Sequence, residues 1–365
     1  MPGKKIKKKL NSFSLQYLID VAEGKIKSNN YNMERLENIL PSMHKLNNII
    51  GMAKAKEDIA EIINLYTIGV CNTNTDMMHT MIQGGSGTGK TMLARILGEI
   101  YWKMGILDNT GEERNIMDSD DSCHRQLRKK QKIDYEKQLE EYDYDDGFLE
   151  HDESESDYES DDETTTGKYK FVEASRTDCI DRYQGGTANK TANLVKSAIG
   201  GVLFIDEAYS LGNTGAEDTY NKECIDTLTS LMEKYKGQVV IILAGYTHSM
   251  EDTLLHYNQG LSRRIPFNVV VADYTPEDLS NILKHMINNL DVDDPWILGE
   301  SLRTLEFFTT HYHAFPHFGG DIETLVLHIK IMHSRRLALT SCKRKVITME
   351  DINAGFERYN ANKLH

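Results

Sequence analysis

Residues 84–91 read GGSGTGKT, that is Gly84, Gly85, Ser86, Gly87, Thr88, Gly89, Lys90 and Thr91. The string fits the GxxxxGK[ST] pattern of a phosphate-binding loop (Walker A), and it lies between a short apolar strand and an amphipathic helix, as that pattern requires. Glycines let successive backbone N–H groups point at a β-phosphate, and a helix N-terminus favours anions. Lys90 is expected to neutralise β- and γ-phosphate oxygens, and Thr91 to offer its hydroxyl to Mg²⁺. The alternative is a glycine-rich turn without a ligand.

The excess of acidic over basic residues is confined to one segment of the chain. Of the 365 residues, with a net charge of -14, residues 108–168 contain 22 acidic and 8 basic side chains, and the other 304 contain 34 of each. Residues 140–163 hold 14 Asp or Glu in 24 positions. Such a composition cannot bury enough apolar surface to offset the entropy of ordering. We therefore predict that residues 108–168 are an acidic disordered insertion, which either serves a basic partner or is a plain loop.

A second motif follows the insertion. Residues 201–207 read GVLFIDE, an apolar strand that ends in Asp206 and Glu207. In a nucleotide site of this kind (Walker B), Asp206 would hold Mg²⁺ and Glu207 would polarise the water that attacks the γ-phosphate. Without the insertion, the number of residues between Lys90 and Asp206 leaves room for a helix, a strand and a second helix. The alternative is a strand that merely ends in two solvated acids.

Strands and helices alternate from residue 80 to residue 271, which predicts an α/β domain with a parallel sheet sandwiched between helices. Thr275-Pro276-Glu277-Asp278 then opens a helical region, because it offers an N-cap, a proline at the first position and acids in the first turn. Further helices are expected from Pro295, after Gly319-Gly320-Asp321 and after Thr348. The predicted divisions are 1–43 for a basic tail with weak helices, 44–272 for the α/β domain and 273–365 for a small helical lid domain.

Composition excludes several classes of protein. Mean hydropathy is -0.50 and no uncharged apolar run reaches eighteen residues, so we expect no membrane partner. Five cysteines without a CxxC pair argue against both a disulfide framework and a zinc site. No secretory signal follows the five lysines between Lys4 and Lys9, so we expect a cytoplasmic protein. These lysines leave nuclear import as an alternative to a solvated or anion-binding tail.

The chain resembles the AAA+ ATPases, and more narrowly the branch of the red-type rubisco activase CbbX and stage V sporulation protein K. The strings that carry the resemblance are GGSGTGKTMLARILGEIYWKMGIL, FVEASRTDCIDRYQGGTANKT, GGVLFIDEAYSL, VVIILAGYTHSM and NQGLSRRIPFNVVVADYTPEDL. They cover about residues 46–351 apart from the insertion. The resemblance implies a homo-oligomeric ring, usually a hexamer, in which ATP and Mg²⁺ bind between subunits and pore loops pull on a protein substrate.

Nucleotide contacts follow from the resemblance by position. Ile49, Ile50 and Gly51 match the segment that cradles adenine, although an ordinary apolar turn would look the same. Tyr246 stands where many AAA+ proteins have a polar sensor, usually Asn, so its role is open. The lid helix begins GGDIE, without the arginine that often senses the γ-phosphate there.

The resemblance also implies roles for two groups of residues, one that contacts the neighbouring subunit and one that contacts the substrate. Arg263 and Arg264 match the site of the arginine finger. Arg264 is favoured, because the family pattern puts its arginine directly before the apolar residue that Ile265 matches. Tyr183, Gln184 and Gly185 match the pore loop, in which an exposed ring grips substrate and a glycine permits movement. The alternatives without a function are a solvated arginine pair at a helix end for the first group and a buried loop tyrosine for the second. Gln184 replaces the usual aliphatic residue.

The favoured function is an ATP-driven protein remodeller that hydrolyses ATP to ADP and phosphate. The alternative is an AAA+ motor or loader acting on nucleic acid, which should present clusters of Lys and Arg to phosphates. Within the portion predicted to be folded, and apart from the tail, the sequence offers only Lys343-Arg344-Lys345. A third reading, a scaffold that binds ATP without hydrolysing it, conflicts with the intact Lys90, Asp206 and Glu207. Neither the substrate nor the ring size follows from the sequence.

Overall fold

A computed structural model describes most of the chain outside the insertion. The described residues are 13–71, 76–107, 169–181, 183, 185–212, 219–255, 258–290, 296–299, 303–339 and 345–363. The lysine-rich tail and the acidic insertion lie outside these ranges, so what was inferred about them stays a prediction.

A five-stranded parallel sheet organises the α/β part. Its strands are β1 (Thr80–Gly84), β2 (Phe171–Ala174), β3 (Val202–Ile205), β4 (Val240–Gly245) and β5 (Phe267–Val271). Their order across the sheet is β2-β3-β4-β1-β5. The strand that leads into the phosphate loop is thus flanked by β4 and β5, and the carboxyl ends of all five strands meet at one edge. This arrangement confirms the predicted fold class.

The strand sequences are apolar because both faces of the sheet are covered. Every residue of β1, β3 and β4 is buried. Two separate apolar clusters contain the residues that alternate along these strands, such as Phe204 on one face and Leu203 on the other. Parallel sheets buried in this way have continuous apolar strands. β5 begins two residues later than Ile265, where the sequence predicted it, because Pro266 has no N–H for a ladder bond.

Fourteen helices surround the sheet in the described residues. Up to residue 103 they are α1 (Leu15–Ala22), α2 (Met33–Asn38), α3 (Leu40–Asn48), α4 (Ala53–Thr67) and α5 (Lys90–Lys103). Between β2 and β5 they are α6 (Arg176–Cys179), α7 (Gly186–Ser197), α8 (Thr219–Lys234), α9 (Thr247–Ser249, continued by a π-helix Met250–Leu255) and α10 (Gln259–Arg264). After the sheet they are α11 (Pro276–Asn288), α12 (Thr304–His311), α13 (Phe318–Leu339) and α14 (Met349–Ala361). Short 3-10 turns at Ala208–Leu211 and Tyr312–Ala314 complete the set.

The N-terminal helices are more than the weak elements that the sequence indicated. Leu18, Leu36 and Met43 are fully buried and belong to the same apolar cluster as one face of the sheet. The boundary that was placed after residue 43 falls inside α3. These helices therefore pack as part of the main body, which their low helical propensity did not reveal.

The C-terminal region is helical with one correction. Thr275 and Thr348 form capping boxes with Asp278 and Asp351, as the sequence predicted. The helix expected from Pro295 is wrong: the chain instead forms β6 (Ile297–Leu298), which pairs in parallel with β7 (Val346–Ile347). The Ile297 N–H donates to the carbonyl of Lys345 at 2.8 Å. Pairing with a strand some fifty residues away overrides the local helix signal.

Deletion of residues 110–166 tests whether the insertion is independent of the fold. Trp102 and Tyr169 lie before and after the insertion, and the centres of their rings are 5.8 Å apart. The two ends of the insertion are therefore attached to the fold close to each other. Because the ends are already close, replacing the segment by a short Gly/Ser linker should change the free energy of unfolding by less than about 1 kcal/mol. Thermal or urea unfolding measures this. Tyr169→Ala in the full chain is the control and should cost more, and a larger loss on deletion would contradict the prediction.

Candidate functional site

A cavity of about 800 Å³ opens at the carboxyl edge of the sheet. Three groups that the sequence singled out line it together. They are the phosphate loop (Ser86, Gly87, Gly89, Lys90, Thr91), the acid pair (Asp206, Glu207) and the segment before α4 (Ile49, Ile50), with Tyr246 beside them. Cavities of this size accommodate ligands as large as a nucleotide.

The phosphate loop has the backbone conformation that its glycines allow. Gly87 and Gly89 lie in the left-handed region, with φ of 66° and 86°, and α5 begins at the next residue, Lys90. The Thr88 hydroxyl donates to the carbonyl of Gly85 at 2.9 Å and closes the loop. The loop thus ends at the N-terminus of a helix, where the unpaired N–H groups favour an anion.

Lys90 is held at the centre of the site. Its ammonium donates to the carbonyls of Gly84 and Gly85 at 3.2 and 2.7 Å and lies 5.0 Å from the centre of the Tyr246 ring. Burial lowers the pKa of the Lys90 ammonium, while the negative charges of Asp206 and Glu207 act in the opposite direction. The cation is therefore positioned by weak, exchangeable contacts that a phosphate can replace.

The acid pair sits at the end of β3 in an unusual backbone conformation. The Asp206 carboxylate accepts a hydrogen bond from the Glu207 N–H at 2.9 Å. Glu207 has φ of 48°, in the left-handed region that costs a non-glycine residue about 1–2 kcal/mol. Backbone outliers of this kind concentrate at functional sites, because the surroundings must hold them. Here the outlier aims the second carboxylate into the cavity, which it lines.

Two tyrosines of the site were missed by sequence reasoning. Tyr209 lies against Tyr246 with ring centres 5.4 Å apart, and burial together with the charge of Glu207 raises the pKa of its hydroxyl. The hydroxyl of Tyr274 donates to the carbonyl of Thr88 at 3.1 Å. Tyr274 directly precedes the helix cap Thr275, and Tyr209 follows the acid pair by two residues. Their closeness in sequence to Thr275 and to the acid pair was the available signal. The contacts of Tyr209 with Tyr246 and of Tyr274 with Thr88, however, join distant parts of the chain.

The C-terminal helices form the other wall of the cavity. α11 contributes Ile282, His285 and Met286, and α13 contributes Gly319 and Glu323. The Gly319 N–H donates to the carbonyl of Gly87 at 3.1 Å, so α13 touches the phosphate loop itself. A carboxylate, Glu323, thus lines the cavity on the helix where the family often has an arginine.

Arg336, an arginine further along α13, contacts other residues and not the cavity. Arg336 donates to the carboxylate of Asp351 at 2.7 and 2.8 Å, and the buried His333 lies 3.1 Å from the same carboxylate. These contacts outweigh burial and lower the pKa of Asp351. The group joins α13 to the cap of α14 and is part of the packing of that region.

Arg264 and Tyr183 lie outside the cavity. At the end of α10, Arg264 donates to the carbonyl of Gly260 at 3.1 Å, and its Nε is 3.4 Å from a carboxylate oxygen of Glu233. Tyr183 is 79% exposed, so it is not the buried loop tyrosine that was one of its two readings. Gly185, with φ of 84°, precedes α7. Gln184 lies outside the described residues.

Oxygen donors suitable for Mg²⁺ line the cavity. The Thr91 hydroxyl and the Asp206 carboxylate are both present there. Among the residues that the structure describes, no group of three or more His, Cys, Asp or Glu could hold a metal ion. Mg²⁺ keeps several waters, takes one or two carboxylates and completes its shell with substrate phosphates, so a hydroxyl and a carboxylate beside the phosphate loop are donors of the kind it uses.

Comparison with known proteins gives the family. The ATPase family associated with various cellular activities (AAA) matches residues 162–269. The putative cfxQ-like protein R730 of Acanthamoeba polyphaga mimivirus is 31% identical over 360 residues, 97% of this chain and 73% of that protein. A chloroplastic ribulose bisphosphate carboxylase/oxygenase activase of Cyanidioschyzon merolae is 28% identical over 263 residues, 70% of this chain and 66% of that protein. The chain belongs to the CbbX-like branch of the AAA+ ATPases, as the sequence predicted, and is an ATPase.

A solved structure supports the fold independently. The crystal structure of the FIGL-1 AAA domain in complex with ADP aligns with a TM-score of 0.51 at 13% identity, over 94% of this chain and 90% of that one. Among the described helices, none is long and apolar enough to cross a membrane. The relatives give no support to the nuclear alternative, and the tail that suggested it is outside the described residues.

Substitution of Gly87 tests the contact between the phosphate loop and the C-terminal helices. A Cβ at Gly87 would lie 1.9 Å from the carbonyl oxygen of His317, and its φ is positive. Gly87→Ala should therefore lower stability by more than about 1 kcal/mol even without nucleotide. Gly320→Ala is the matched control, because Gly320 is helical and nothing lies within 4 Å of its added Cβ. Melting curves should show a lower midpoint for the first and an equal or higher one for the second; equal midpoints would contradict the contact.

Proposed function

We propose that the protein is a ring-forming AAA+ ATPase that pulls on protein substrates by means of a central pore loop. The observation that carries the proposal is the cavity in which the phosphate loop, the acid pair and the C-terminal helices meet. A single site that contains a phosphate cradle, a cation and a carboxylate is suited to bind ATP and to hydrolyse it.

The roles in hydrolysis follow from charge and position. Lys90 neutralises the β- and γ-phosphate oxygens after exchanging the carbonyls of Gly84 and Gly85 for them. Glu207 accepts a proton from the attacking water, which it orients toward the γ-phosphate. Thr91 and Asp206 would hold Mg²⁺, which would supply positive charge to neutralise the phosphates. Tyr246 flanks Lys90 and takes the sensor position.

Ring assembly is supported by the placement of Arg264. Its side chain lies outside the cavity of its own subunit, at the end of a helix close to the protein surface, with 30% of its area exposed. A cation that stabilises the transition state from a neighbouring subunit needs this placement. We therefore propose that each ATP site is completed by Arg264 of an adjacent copy, most simply in a closed hexamer.

Action on protein is supported by the exposed Tyr183. The loop is tied at both ends, since the Tyr183 N–H donates to Asp181 at 3.2 Å and its carbonyl accepts from the Gly186 N–H at 3.2 Å. The ring itself extends into solvent, where it can pack on an unfolded chain. The rival nucleic-acid motor needs a basic surface, and its candidate strings at 4–9 and 343–344 lie outside the described residues. The related activase acts, by its name, on another enzyme.

Two variants separate binding from hydrolysis. Lys90→Ala removes charge neutralisation and should abolish ATP binding, whereas Glu207→Gln removes only water activation and should bind ATP with near-native affinity while turnover falls by about two orders of magnitude or more. Calorimetric titration and a phosphate-release assay measure the two effects. Wild-type turnover by Glu207→Gln would refute the assignment of the base. Specific activity of the wild type should also rise with protein concentration as rings form.

Tyr183→Ala tests the pore-loop role. Basal ATP hydrolysis should persist because the ring does not line the cavity, while stimulation of hydrolysis by an unstructured polypeptide such as casein should be lost. Tyr183→Phe should retain the stimulation, since the face of the ring makes the grip and the hydroxyl does not. Loss of stimulation by both variants, or by neither, would contradict the role. If Tyr183→Ala instead abolished binding of single-stranded DNA or RNA, the nucleic-acid function would be favoured.

A further inference from the structure

The wall of the cavity opposite the acid pair begins with a strained turn. α3 ends at Asn48, and Ile49 continues in an extended conformation with φ of -61° and ψ of 134°. Gly51 and Met52 then both adopt positive φ, 69° and 54°, before α4 begins at Ala53. For Met52 this conformation costs about 1–2 kcal/mol. Such a turn persists only where its surroundings hold it in place.

Lys56 holds this turn from the side of the protein core. It lies one turn into α4, and its ammonium donates to the carbonyls of Asn47 and Ile49 at 2.9 and 2.5 Å. The last carbonyls of a helix have no partners within the helix and carry partial negative charge, so a lysine is favourable there. The ammonium turns the Ile49 carbonyl toward itself, and the backbone that follows carries Ile50 along the cavity wall.

The other side of the turn lies against α11. A Cβ on Gly51 would be 2.9 Å from the Tyr274 ring and 3.3 Å from the carboxyl carbon of Asp278, so these two side chains lie close against the backbone of the turn. Asp278 caps α11 by accepting from the N–H and the hydroxyl of Thr275 at 2.9 and 2.7 Å. Its negative charge also opposes the effect of burial, which lowers the pKa of Lys56.

Both walls contribute apolar side chains to the cavity, and α11 also contributes His285. α11 presents Ile282 and Met286 to the cavity, and Ile50 lies on the other wall. The spacing between the walls depends on where the turn is held, and the phosphate loop lies on a different part of the lining. A flat, largely apolar group such as a purine base fits between such walls, while its phosphates extend to Lys90.

We propose that Lys56 is a positioning residue for the base of the nucleotide. By fixing the carbonyls of Asn47 and Ile49 it sets the wall formed by Ile49 and Ile50 at the distance from α11 that a purine requires. Lys56 touches neither the base nor the phosphates. This inference rests on the proposed ATP site, and it assigns to a half-buried lysine outside the phosphate loop a role in selecting the ligand.

Lys56→Met tests the proposal, because it keeps the aliphatic stem and removes the ammonium. Binding of ATP and of inorganic tripolyphosphate, which has no base, is measured by calorimetric titration. Affinity for ATP should fall about tenfold, which corresponds to about 1.4 kcal/mol. Affinity for tripolyphosphate should stay within about twofold, and kcat at saturating ATP likewise. Lys54→Met is the control, since Lys54 lies on the same helix, is exposed and pairs with Asp58 at 2.7 Å; it should bind both ligands as the wild type does.

Two results would overturn the proposal: unchanged ATP affinity in Lys56→Met, or an equal loss of tripolyphosphate affinity, which would indicate a general structural effect. If Lys56→Met does not fold, Lys56→Gln keeps a donor without the charge and should lose part of the ATP affinity with tripolyphosphate unaffected; wild-type affinity for ATP would again overturn the role. A wild type that binds neither ligand would refute the proposed function and this inference with it. A wild type that binds both, beside an unchanged Lys56→Met, would refute this inference alone.

Discussion

The phosphate loop and the C-terminal helices touch through the backbone, and the rest of the site depends on that contact. At Gly87 there is no room for a side chain, because the carbonyl of His317 occupies the position of a Cβ. The Gly319 N–H bonds to the Gly87 carbonyl, and the Tyr274 hydroxyl bonds to that of Thr88. A ligand that shifted the loop would strain these contacts, so α13 and Tyr274 are placed to respond to the phosphate site.

Among the described residues of the C-terminal helices, none that lines the cavity is a lysine or an arginine. Glu323 lines the site on α13, and Arg336 is bound to Asp351. The C-terminal helices meet the phosphate site through the backbone hydrogen bond at Gly319 and through the α11 side chains that line the cavity. Lys45 lines the cavity from α3, and under the proposed function Arg264 of a neighbouring copy would add a further cation and share in stabilising the transition state.

Local signals in the sequence were enough for the fold class and for much of the site. The strand Val202–Ile205 and the caps at Thr275 and Thr348 have the bounds that residue patterns predicted, since burial on both faces and N-capping are encoded within a few residues. What was missed depends on distant partners. β6 forms because Ile297 meets Lys345, and Tyr274 joins the site because its hydroxyl reaches the carbonyl of Thr88, 186 residues earlier in the chain. The N-terminal helices gain their burial by packing on one another and on α4 and α5, and not from their own propensity.

The central claim is that each ATP site is completed by the neighbouring subunit, and mixing two inactive variants tests it most directly. Arg264→Ala lacks the donated cation and Glu207→Gln lacks the base, so neither should hydrolyse ATP alone. In a mixed ring, some interfaces combine an intact Glu207 with an intact Arg264 from the adjacent copy. Phosphate release measured across mixing ratios should therefore recover part of the wild-type rate. No activity at any ratio, with mixed rings demonstrated by native mass spectrometry, would contradict a shared site.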